Sequence, residues 1–506
     1  MSSPGKSIVV IGGGVSGMAT ALVLAKHGRA VCLVEKKPKL GATLRGFSRC
    51  GAIFDTGLHY AGGLHPEGAL TRYFRLLGLE SLPLVEFNRN DFDHVRFIAS
   101  GREIALPVGH EAILDTLCGH FPADRVFLRD YFKRLRNSFF SSAFLYFSTE
   151  FRAAMNEALH QESLATVLAK GTGDRCLRTV LSIHSLLYGV SPEETPFIQH
   201  ARIAGSYLEG VKTVAGGGRV LAEAMEAKLD EAGVEIHRGV AVTKLLFAGG
   251  KDVTEVSLGD GRHISAEGVV FTAHPAFLPP MLPDGAVKPA FIRRLQSLED
   301  TFSSYTLFGK SDSPIPALHG SNLFLCLEDD ISRAFRPDCR AECGPFYISG
   351  SPAPHKDTST DTDTAQRTGW GLTAFAPGNA NECAPWAASR PGSRPDAYKA
   401  FKTRRLDCMR AVLLEHCPEL TSVTFLEGGT PLTNRDFLDS PGCGLYGTKH
   451  SLKQFSPLPA TRVANLWMAG QSVIAPGILG AIISAFVACG FILGMDTVRR
   501  EIAACA

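Results

Sequence analysis

The chain lacks a strong excess of positive or negative charge. Its 52 lysines and arginines nearly balance its 50 aspartates and glutamates, and charged residues make up 20% of the 506 residues. Domains that bind nucleic acid usually carry a basic patch that neutralises phosphates, and this composition offers no such field. We therefore expect no nucleic acid among the partners of this protein.

The chain also lacks the paired cysteine spacings of zinc and dithiol sites. Its 13 cysteines are scattered along the sequence, and no two of them form a C-x-x-C pair. The nearest pair, Cys339 and Cys343, has no second pair with which to complete a zinc site. The sequence therefore predicts free thiols in a reducing compartment and no metal site.

No charged and apolar leader precedes the first predicted strand. Residues 1–6 lead directly into the apolar residues 7–11, which leaves no room for the successive regions of a signal peptide. We therefore expect a cytoplasmic protein.

Charged side chains are also absent from residues 465–495. Hydropathy alone would predict a membrane span here, because the run is long enough to cross a bilayer. However, Pro476 and Gly477 interrupt it, and residues 466–469 before them are typical of a strand. The sequence favours a strand, a turn and a buried helix, with a membrane span as the alternative.

At the N-terminus an apolar strand, a glycine-rich turn and a helix follow one another directly. Residues 7–17 read Ser-Ile-Val-Val-Ile-Gly-Gly-Gly-Val-Ser-Gly. In a dinucleotide-binding turn, Gly12 permits the tight turn, Gly14 lets the backbone approach a pyrophosphate, and Gly17 lets the helix pack closely on its strand. The phosphates would lie at a helix N-terminus, where free N–H groups and the helix dipole favour negative charge.

An acidic residue ends the second predicted strand. Glu35 follows Gly17 by 18 residues, close to the roughly 20 residues expected in this unit. A carboxylate at this position hydrogen-bonds ribose hydroxyls and repels a 2′-phosphate, which favours FAD or NAD over NADP. Residues 215–218 are also glycine-rich but follow no apolar strand, so a second, nicotinamide-binding unit is not predicted.

Motifs along the whole chain resemble those of one flavoprotein group. They are Asp-Thr-Gly-Leu-His-Tyr at 55–60, Val-Ala-Gly-Gly at 214–217, Thr-Pro-Leu-Thr at 430–433, Tyr-Gly at 446–447 and Asn-Leu-Trp-Met-Ala-Gly-Gln at 465–471, followed by Gly-Ile-Leu-Gly-Ala at 477–481. Together they resemble the phytoene desaturase, carotenoid isomerase and retinol saturase group of amine-oxidase-like flavoproteins, and the retinol-saturase-like members most. One departure is Gly41-Ala42, where many members carry two glycines.

The resemblance implies an α/β fold of the glutathione-reductase type. A Rossmann-type FAD-binding domain with a parallel sheet would be interleaved with an α+β substrate domain. We expect residues 1–90, 205–285 and 456–506 to form the FAD-binding domain. Residues 91–204, predicted to be helical, and residues 286–455 would form the substrate domain.

Three further segments carry local predictions. Residues 253–258 and 263–265 should pair as a hairpin, and the apolar residues 268–273 should form a strand buried on both faces. The aromatic residues within 138–147 indicate either a dense core or the wall of an apolar tunnel. Residues 355–364 are polar and of low complexity, which predicts an exposed loop.

The resemblance also implies which residues hold FAD and which act on the substrate. Backbone N–H groups of Ile478 and Leu479 would face the N1 and O2 edge of the flavin. His59 and Tyr60 are the candidate catalytic residues, as proton donors in a saturation, with a purely structural hydrogen bond as the alternative role for His59. The residues expected to bind FAD are Gly12, Gly14, Ser16, Gly17, Glu35, Lys36, Thr43, Asp55, Gly57, Leu58, His59, Val242, Ala273, Gly470, Gln471, Gly477, Ile478 and Leu479.

The expected substrate is an apolar polyene or isoprenoid of carotenoid or retinoid type. Saturation or isomerisation of a double bond is favoured over desaturation. Another FAD-dependent oxidoreductase of the amine-oxidase type and a non-catalytic prenyl-binding protein of the same fold are the alternatives, although the C-terminal motif lacks the aromatic residues with which amine oxidases enclose an amine. Peripheral contact with the inner face of a membrane, the electron donor and the oligomeric state are left open.

Overall fold

The computed structural model describes residues 6–41, 43–142, 145, 147, 162–249, 252–336, 338–351, 369–454 and 456–505. The predicted loop at 355–364, Ala42 and part of the aromatic segment 138–147 lie outside these residues.

Nineteen strands are numbered in chain order: β1 (Ser7–Ile11), β2 (Val31–Glu35), β3 (Phe47–Arg49), β4 (Ala52–Phe54), β5 (Ala61–Gly62), β6 (Leu84–Glu86), β7 (Asp93–Phe97), β8 (Glu103–Leu106), β9 (Val211–Val214), β10 (Glu235–Arg238), β11 (Val242–Ala248), β12 (Asp252–Leu258), β13 (His263–Phe271), β14 (Ser303–Ser311), β15 (Asn322–Cys326), β16 (Phe346–Gly350), β17 (Trp370–Gly378), β18 (Thr424–Gly429) and β19 (Leu466–Met468), all within the described part of the chain.

The α-helices of the described residues are numbered in the same way: α1 (Val15–Lys26), α2 (Ala69–Leu76), α3 (His110–His120), α4 (Arg125–Phe140), α5 (Leu164–Gly171), α6 (Arg175–Ser182), α7 (Ser185–Tyr188), α8 (Phe197–Leu208), α9 (Gly218–Glu231), α10 (Pro289–Gln296), α11 (Asp396–His416), α12 (Pro431–Phe437), α13 (Gly477–Leu493) and α14 (Met495–Ala504).

The first sheet is assembled from three distant parts of the chain. Its order is β10-β2-β1-β13-β12-β11, and β19 lies beside β13. The strands β10, β2, β1, β13 and β19 are parallel, whereas β11, β12 and β13 form an antiparallel meander. All five residues of β1 are buried, as expected for a strand covered on both faces. This arrangement confirms the predicted α/β fold of Rossmann type.

One strand of this sheet is longer than the sequence predicted. The expected hairpin strand at 263–265 and the expected buried strand at 268–273 are a single strand, β13, which ends at Phe271. Its first half pairs with β12 and its second half with β1 and β19, so the same strand serves the meander and the parallel sheet.

The second sheet has the order β18-β14-β17-β16-β15-β7-β8. The last two strands belong to residues 91–204, a segment predicted to be helical, which thus adds two strands to this sheet. In β7, buried residues alternate with half-buried ones, and the strand joins the sheet through parallel pairing with β15, more than 200 residues away. Long-range pairing of this kind leaves little local signal. The five domain boundaries remain a proposal.

The uncharged C-terminal run folds as predicted into a strand, a turn and a buried helix. In α13 every residue from 480 to 490 is buried, and the Cys489 thiol donates a hydrogen bond to the Thr20 carbonyl of α1 at 3.7 Å. Among the helices of the described residues, none is both long and apolar enough to span a membrane.

The described residues of the aromatic segment belong to the protein core. Phe139, Leu145 and Phe147 are buried in the same hydrophobic cluster as α1 and α13. Phe140, which ends α4, is 44% exposed. These positions favour the core interpretation over the tunnel wall.

Candidate cofactor site and tyrosine cage

The glycine-rich turn after β1 has no room for side chains at two of its positions. Gly12 has φ +109°, and a Cβ on Gly17 would lie 1.8 Å from the Gly12 carbonyl oxygen. The Thr272 hydroxyl, just after β13, donates to the carbonyls of Ile11 at 2.9 Å and Gly12 at 3.0 Å. The turn is therefore clamped between its own helix and the neighbouring strand, as the motif requires.

The start of α1 has the features of a pyrophosphate-binding site. Gly14 is the N-cap residue, no side chain caps the helix, and nothing lies within 4 Å of a Cβ built on Gly14. The Ser16 hydroxyl is buried without a hydrogen-bond partner among the described residues. An uncapped helix N-terminus beside an unsatisfied buried hydroxyl and an open glycine face fits an anionic group.

Glu35 lies directly beside this turn. Its carboxylate accepts hydrogen bonds from the N–H of Gly13 at 2.5 Å and from that of Lys37 at 2.8 Å. The neighbouring Lys36 forms an ion pair with Asp439 at 2.6 Å. Val242 is buried at the start of β11, in the same cluster as residues of β1 and β2. The structure therefore brings Glu35 to the pyrophosphate turn, whereas the Lys36 ammonium is engaged elsewhere.

The C-terminal motif meets the N-terminal turn across the end of the sheet. A Cβ on Gly470 would lie 3.2 Å from the Thr272 carbonyl oxygen, and Ala273 follows directly on the chain, with its backbone N beside Gly12. The N–H of Gly470 donates to the Ser484 hydroxyl of α13 at 3.0 Å. Residues more than 450 positions apart thus lie at one site, as the split motif predicts.

The first turn of α13 is open. Its N-cap is Pro476, no side chain caps it, and Gly477 is exposed while Ile478 and Leu479 are half-buried. The preceding Gln471 side chain is exposed, and its carbonyl accepts a hydrogen bond from His450 Nε2 at 2.7 Å. His450, which the sequence did not single out, fixes the backbone that leads into this helix N-terminus.

The Asp-Thr-Gly segment packs against the second glycine segment. Asp55 Oδ1 accepts the N–H of Gly218 at 2.9 Å, and a Cβ on Gly217 would lie 2.3 Å from the same oxygen. Gly57 contacts the exposed Thr43 backbone so closely that a Cβ would lie 2.2 Å from the Thr43 carbonyl. Leu58 is buried in the core. Asp55 therefore has a structural role at the start of α9, and a flavin contact for these residues remains a prediction.

The Thr-Pro-Leu-Thr segment also has a local structural explanation. Thr430 and Thr433 form a reciprocal capping box at the start of α12, with Pro431 at the first helical position. The Thr430 hydroxyl is in turn 2.8 Å from that of Tyr398 in α11. This motif thus stabilises a helix N-terminus.

Tyr60 leads into a buried polar network. Its hydroxyl donates to Asp93 Oδ2 at 2.9 Å, and His184 Nε2 lies 3.1 Å from the same oxygen. The Asn322 side-chain Nδ2 donates to Asp93 Oδ1 at 2.9 Å, and the Tyr347 hydroxyl donates to the Asn322 side-chain Oδ1 at 3.0 Å. Asp93 is fully buried, so these hydrogen bonds replace those it would make with water.

Aromatic rings around this network form a tyrosine cage, composed of His59, Tyr60, Tyr207 and Tyr347. The ring of Tyr60 lies 4.9 Å from that of Tyr207 and is stacked 6.2 Å from that of Tyr347, while His59 meets Tyr347 edge-on at 5.6 Å. His59 and Tyr207 are half-buried, so part of each ring remains accessible, whereas Tyr60 and Tyr347 are buried. A partly accessible aromatic surface of this kind suits an apolar ligand.

Burial shifts the acidity of both candidate catalytic residues away from proton donation at neutral pH. Desolvation lowers the pKa of His59 to about 4, so its imidazole is neutral at pH 7. Burial and then the neighbouring Asp93 raise the pKa of Tyr60 well above its usual value. Tyr60 is thus held as a hydrogen-bond donor to Asp93.

Sequence reasoning missed most of this network. Asp93 begins β7 and Asn322 begins β15, and the two are register partners in adjacent parallel strands. Tyr347 lies on β16 opposite Phe324, and Tyr207 lies near the end of α8. Sheet pairing brings Asp93, Asn322 and Tyr347 together, and packing of α8 adds Tyr207, so no local spacing could have indicated this group.

Comparison with known proteins shows the family of the chain. A model of the family described as flavin containing amine oxidoreductase matches residues 15–304, more than half of the chain. The chain belongs to that family. FAD is therefore its cofactor, and the protein is a FAD-dependent oxidoreductase, as predicted.

Individual members of the family align with nearly the whole chain. The all-trans-retinol 13,14-reductase of Danio rerio is 25% identical, over 96% of this chain and 85% of its own length. The hydroxyneurosporene desaturase of Cereibacter sphaeroides is 25% identical, over 92% of both chains. These relatives confirm the predicted flavoprotein group.

A solved structure shows the same fold. The crystal structure of an oxidoreductase from Methanosarcina mazei has a TM-score of 0.64 at 15% identity, and the match covers 96% of this chain and 99% of that one. At this identity the likeness confirms the fold class alone.

Proposed function

We propose that the protein transfers hydride between FAD and a carbon–carbon double bond of an apolar polyene of retinoid or carotenoid type, with saturation or isomerisation favoured over desaturation. The observation that carries this proposal is the similarity, along nearly the whole chain, to proteins named for retinol reduction and carotenoid desaturation. The tyrosine cage supports it, because aromatic faces pack well against an extended apolar chain.

The chain's own residues would bind and orient the reactants. FAD, when bound, supplies hydride transfer at its ring nitrogen N5. The turn at Gly12–Gly17 and Glu35 would hold its pyrophosphate and ribose, and the open N-terminus of α13 would place backbone N–H groups and a helix dipole where negative charge develops. The tyrosine cage would exclude water from the reacting double bond.

The two candidate catalytic residues would have different roles. The Tyr60 hydroxyl donates a hydrogen bond to Asp93, so we assign Tyr60 the positioning of the cage. Neither ring nitrogen of His59 hydrogen-bonds a described residue, so the neutral imidazole is available to a ligand beside the cage. His59 would therefore accept or donate a hydrogen bond without changing its charge.

The pKa of His59 predicts how activity depends on pH. Because the imidazole is neutral above about pH 5, we expect kcat/KM to show no inflection from His59 between about pH 6 and 8. As the pH falls toward 4 the ring gains a proton and loses its acceptor, so activity should fall. The His59→Gln variant, which is neutral at every pH, should keep activity within about threefold and lack this acid limb.

His237 provides the matched control, because it lies on β10 outside the tyrosine cage. The His237→Gln variant should retain the wild-type profile, acid limb included. An inflection near pH 6.5 in the wild type that is absent from His59→Gln would instead identify an imidazolium acid and contradict this role.

Anaerobic turnover with product analysis tests the proposed function. Separate samples of reduced and oxidised FAD-loaded protein would be incubated with all-trans-retinol, a carotene and a prenylated quinone, and the products would be separated and their masses measured by mass spectrometry. A gain of two hydrogens identifies saturation, a loss of two identifies desaturation by the oxidised protein, and an unchanged mass with altered retention identifies isomerisation. No product from any of them contradicts a polyene substrate.

Amine oxidation is the second candidate, and the tyrosine cage is the observation that favours it. The sequence argument against an amine rested on the C-terminal motif, whereas the cage draws its rings from other segments. Aerobic incubation with primary and polyamine substrates, with hydrogen peroxide as the readout, distinguishes the two. Peroxide formation without polyene turnover would replace the proposal by amine oxidation.

A further inference from the structure

A buried histidine contacts the segment that leads into α13. The side chain of His450 is buried, and its Nε2 lies 2.7 Å from the carbonyl oxygen of Gln471. Its Nδ1 lies 3.0 Å from the Ser456 hydroxyl. Both ring nitrogens therefore have a hydrogen-bond partner, and both partners are uncharged.

These two partners determine where the ring carries its hydrogen. A carbonyl oxygen only accepts hydrogen bonds, so Nε2 of His450 is the donor to Gln471. Burial lowers the pKa of His450 below its usual value, so the imidazole is neutral at pH 7. Its Nδ1 then has a lone pair that accepts the hydrogen of the Ser456 hydroxyl. Ser456 thus fixes the tautomer in which His450 donates to Gln471.

A second pair of hydrogen bonds holds the same segment. The Thr448 N–H donates to the Ser472 hydroxyl at 3.3 Å, and the Thr448 hydroxyl donates to the Ser472 carbonyl at 3.3 Å. Two consecutive residues, Gln471 and Ser472, are therefore bound by residues 448–450. They lie just before the start of α13 at Gly477, so these contacts set the direction in which the chain enters that helix.

We propose that His450 is a positioning residue for the flavin, which holds the first turn of α13 in place through the Gln471 carbonyl and thereby raises the reduction potential of FAD. This inference rests on the part of the proposed function that places the backbone N–H groups of α13 where negative charge develops on reduction. Donors held in a fixed position stabilise that charge without reorganising, so they favour reduced over oxidised flavin. Losing the hydrogen bond from His450 should therefore lower the potential.

The reduction potential of bound FAD tests this role without any substrate. FAD-loaded protein would be titrated anaerobically with dithionite beside a reference dye of known potential, and the absorbance of both would be followed. In His450→Leu, which removes the donor, the preference for reduced over oxidised flavin should fall about tenfold, which lowers the two-electron potential by about 30 mV. In Ser456→Ala, which leaves both tautomers open, it should fall about threefold.

Two further variants show whether the hydrogen bond itself is responsible. His450→Gln supplies an amide N–H₂ that can donate to the same carbonyl, so it should change the preference by less than about twofold. His200→Leu is the matched control, because His200 is also buried and bonds through both nitrogens, to Tyr131 at 3.0 Å and Tyr188 at 3.1 Å. Its partners lie on α4 and α7, so this variant should lose stability and keep the wild-type potential.

Ile478→Pro distinguishes the role of His450 from the placement of the flavin on which it rests. It removes one N–H group from the first turn of α13, where proline is tolerated, and should also lower the potential. A lower potential in Ile478→Pro with an unchanged one in His450→Leu would overturn the role of His450 alone. Unchanged potentials in both would overturn the placement as well. If His450→Leu does not retain FAD, the potential of Ser456→Ala decides in its place. Polyene turnover enters none of these measurements, so the proposed substrate is tested separately.

Discussion

Replacing Gly14 by valine should give a folded protein that has lost its flavin. Gly14 has φ −74° and ψ −178°, a conformation open to any residue, and its Cβ would meet no protein atom within 4 Å. The space beside it is the one that the pyrophosphate would occupy. A side chain there separates the phosphate from the N–H groups of α1, and losing two hydrogen bonds to a charged group, at about 1.5 kcal/mol each, weakens binding about 100-fold.

Two other glycines make the result specific. Gly17→Ala should lose the fold itself, because its Cβ would overlap the Gly12 carbonyl oxygen at 1.8 Å, whereas Gly119→Ala in α3 has open space and should resemble the wild type. The ratio of flavin to protein absorbance, measured together with the far-ultraviolet circular dichroism spectrum, separates the three variants. Gly14→Val that retains stoichiometric FAD would show that the pyrophosphate lies elsewhere.

The flavin-binding part of the molecule was predictable because its signals are local. Gly12 and Gly17 are required by the sterics of the turn, Gly14 leaves space beside the helix N-terminus, and Glu35 follows at the end of the next strand. The C-terminal half of the site was predictable only by resemblance to a family. Its Gly470 reaches the N-terminal turn through the pairing of β19 with β13, which no local pattern shows.

The tyrosine cage could not be predicted as a unit, although His59 and Tyr60 lie in a motif that the sequence singled out. Its other tyrosines come from α8 and β16, and the carboxylate that accepts the Tyr60 hydrogen bond comes from β7. A buried aspartate within a short alternating strand contradicts the usual preference of strands for β-branched and aromatic residues. Asp93 is tolerated there because register pairing with Asn322 supplies a donor across the sheet.

Replacing Asp93 in this network should have a large effect on the stability of the protein. In Asp93→Asn the carboxylate, which accepts from Tyr60, His184 and Asn322, is replaced by an amide with only one oxygen. At least one donor then stays buried without a partner, and the new N–H₂ group points at others. We expect the free energy of unfolding to fall by about 3 kcal/mol, the size typical of breaking a buried network on one side.

Asp91, two residues earlier, provides the matched control. It pairs with His94 at 3.1 Å but its side chain is 29% exposed, so Asp91→Asn should cost less than about 1 kcal/mol. Urea unfolding of both variants measures the difference in the free energy of unfolding, with the same dependence of that free energy on urea concentration used for both. Asp93 also orients Tyr60 and with it one side of the cage. The change in the flavin spectrum when a polyene binds should therefore differ from that of the wild type in Asp93→Asn and equal it in Asp91→Asn. Equal stabilities for the two variants would mean that the network does not hold the cage together.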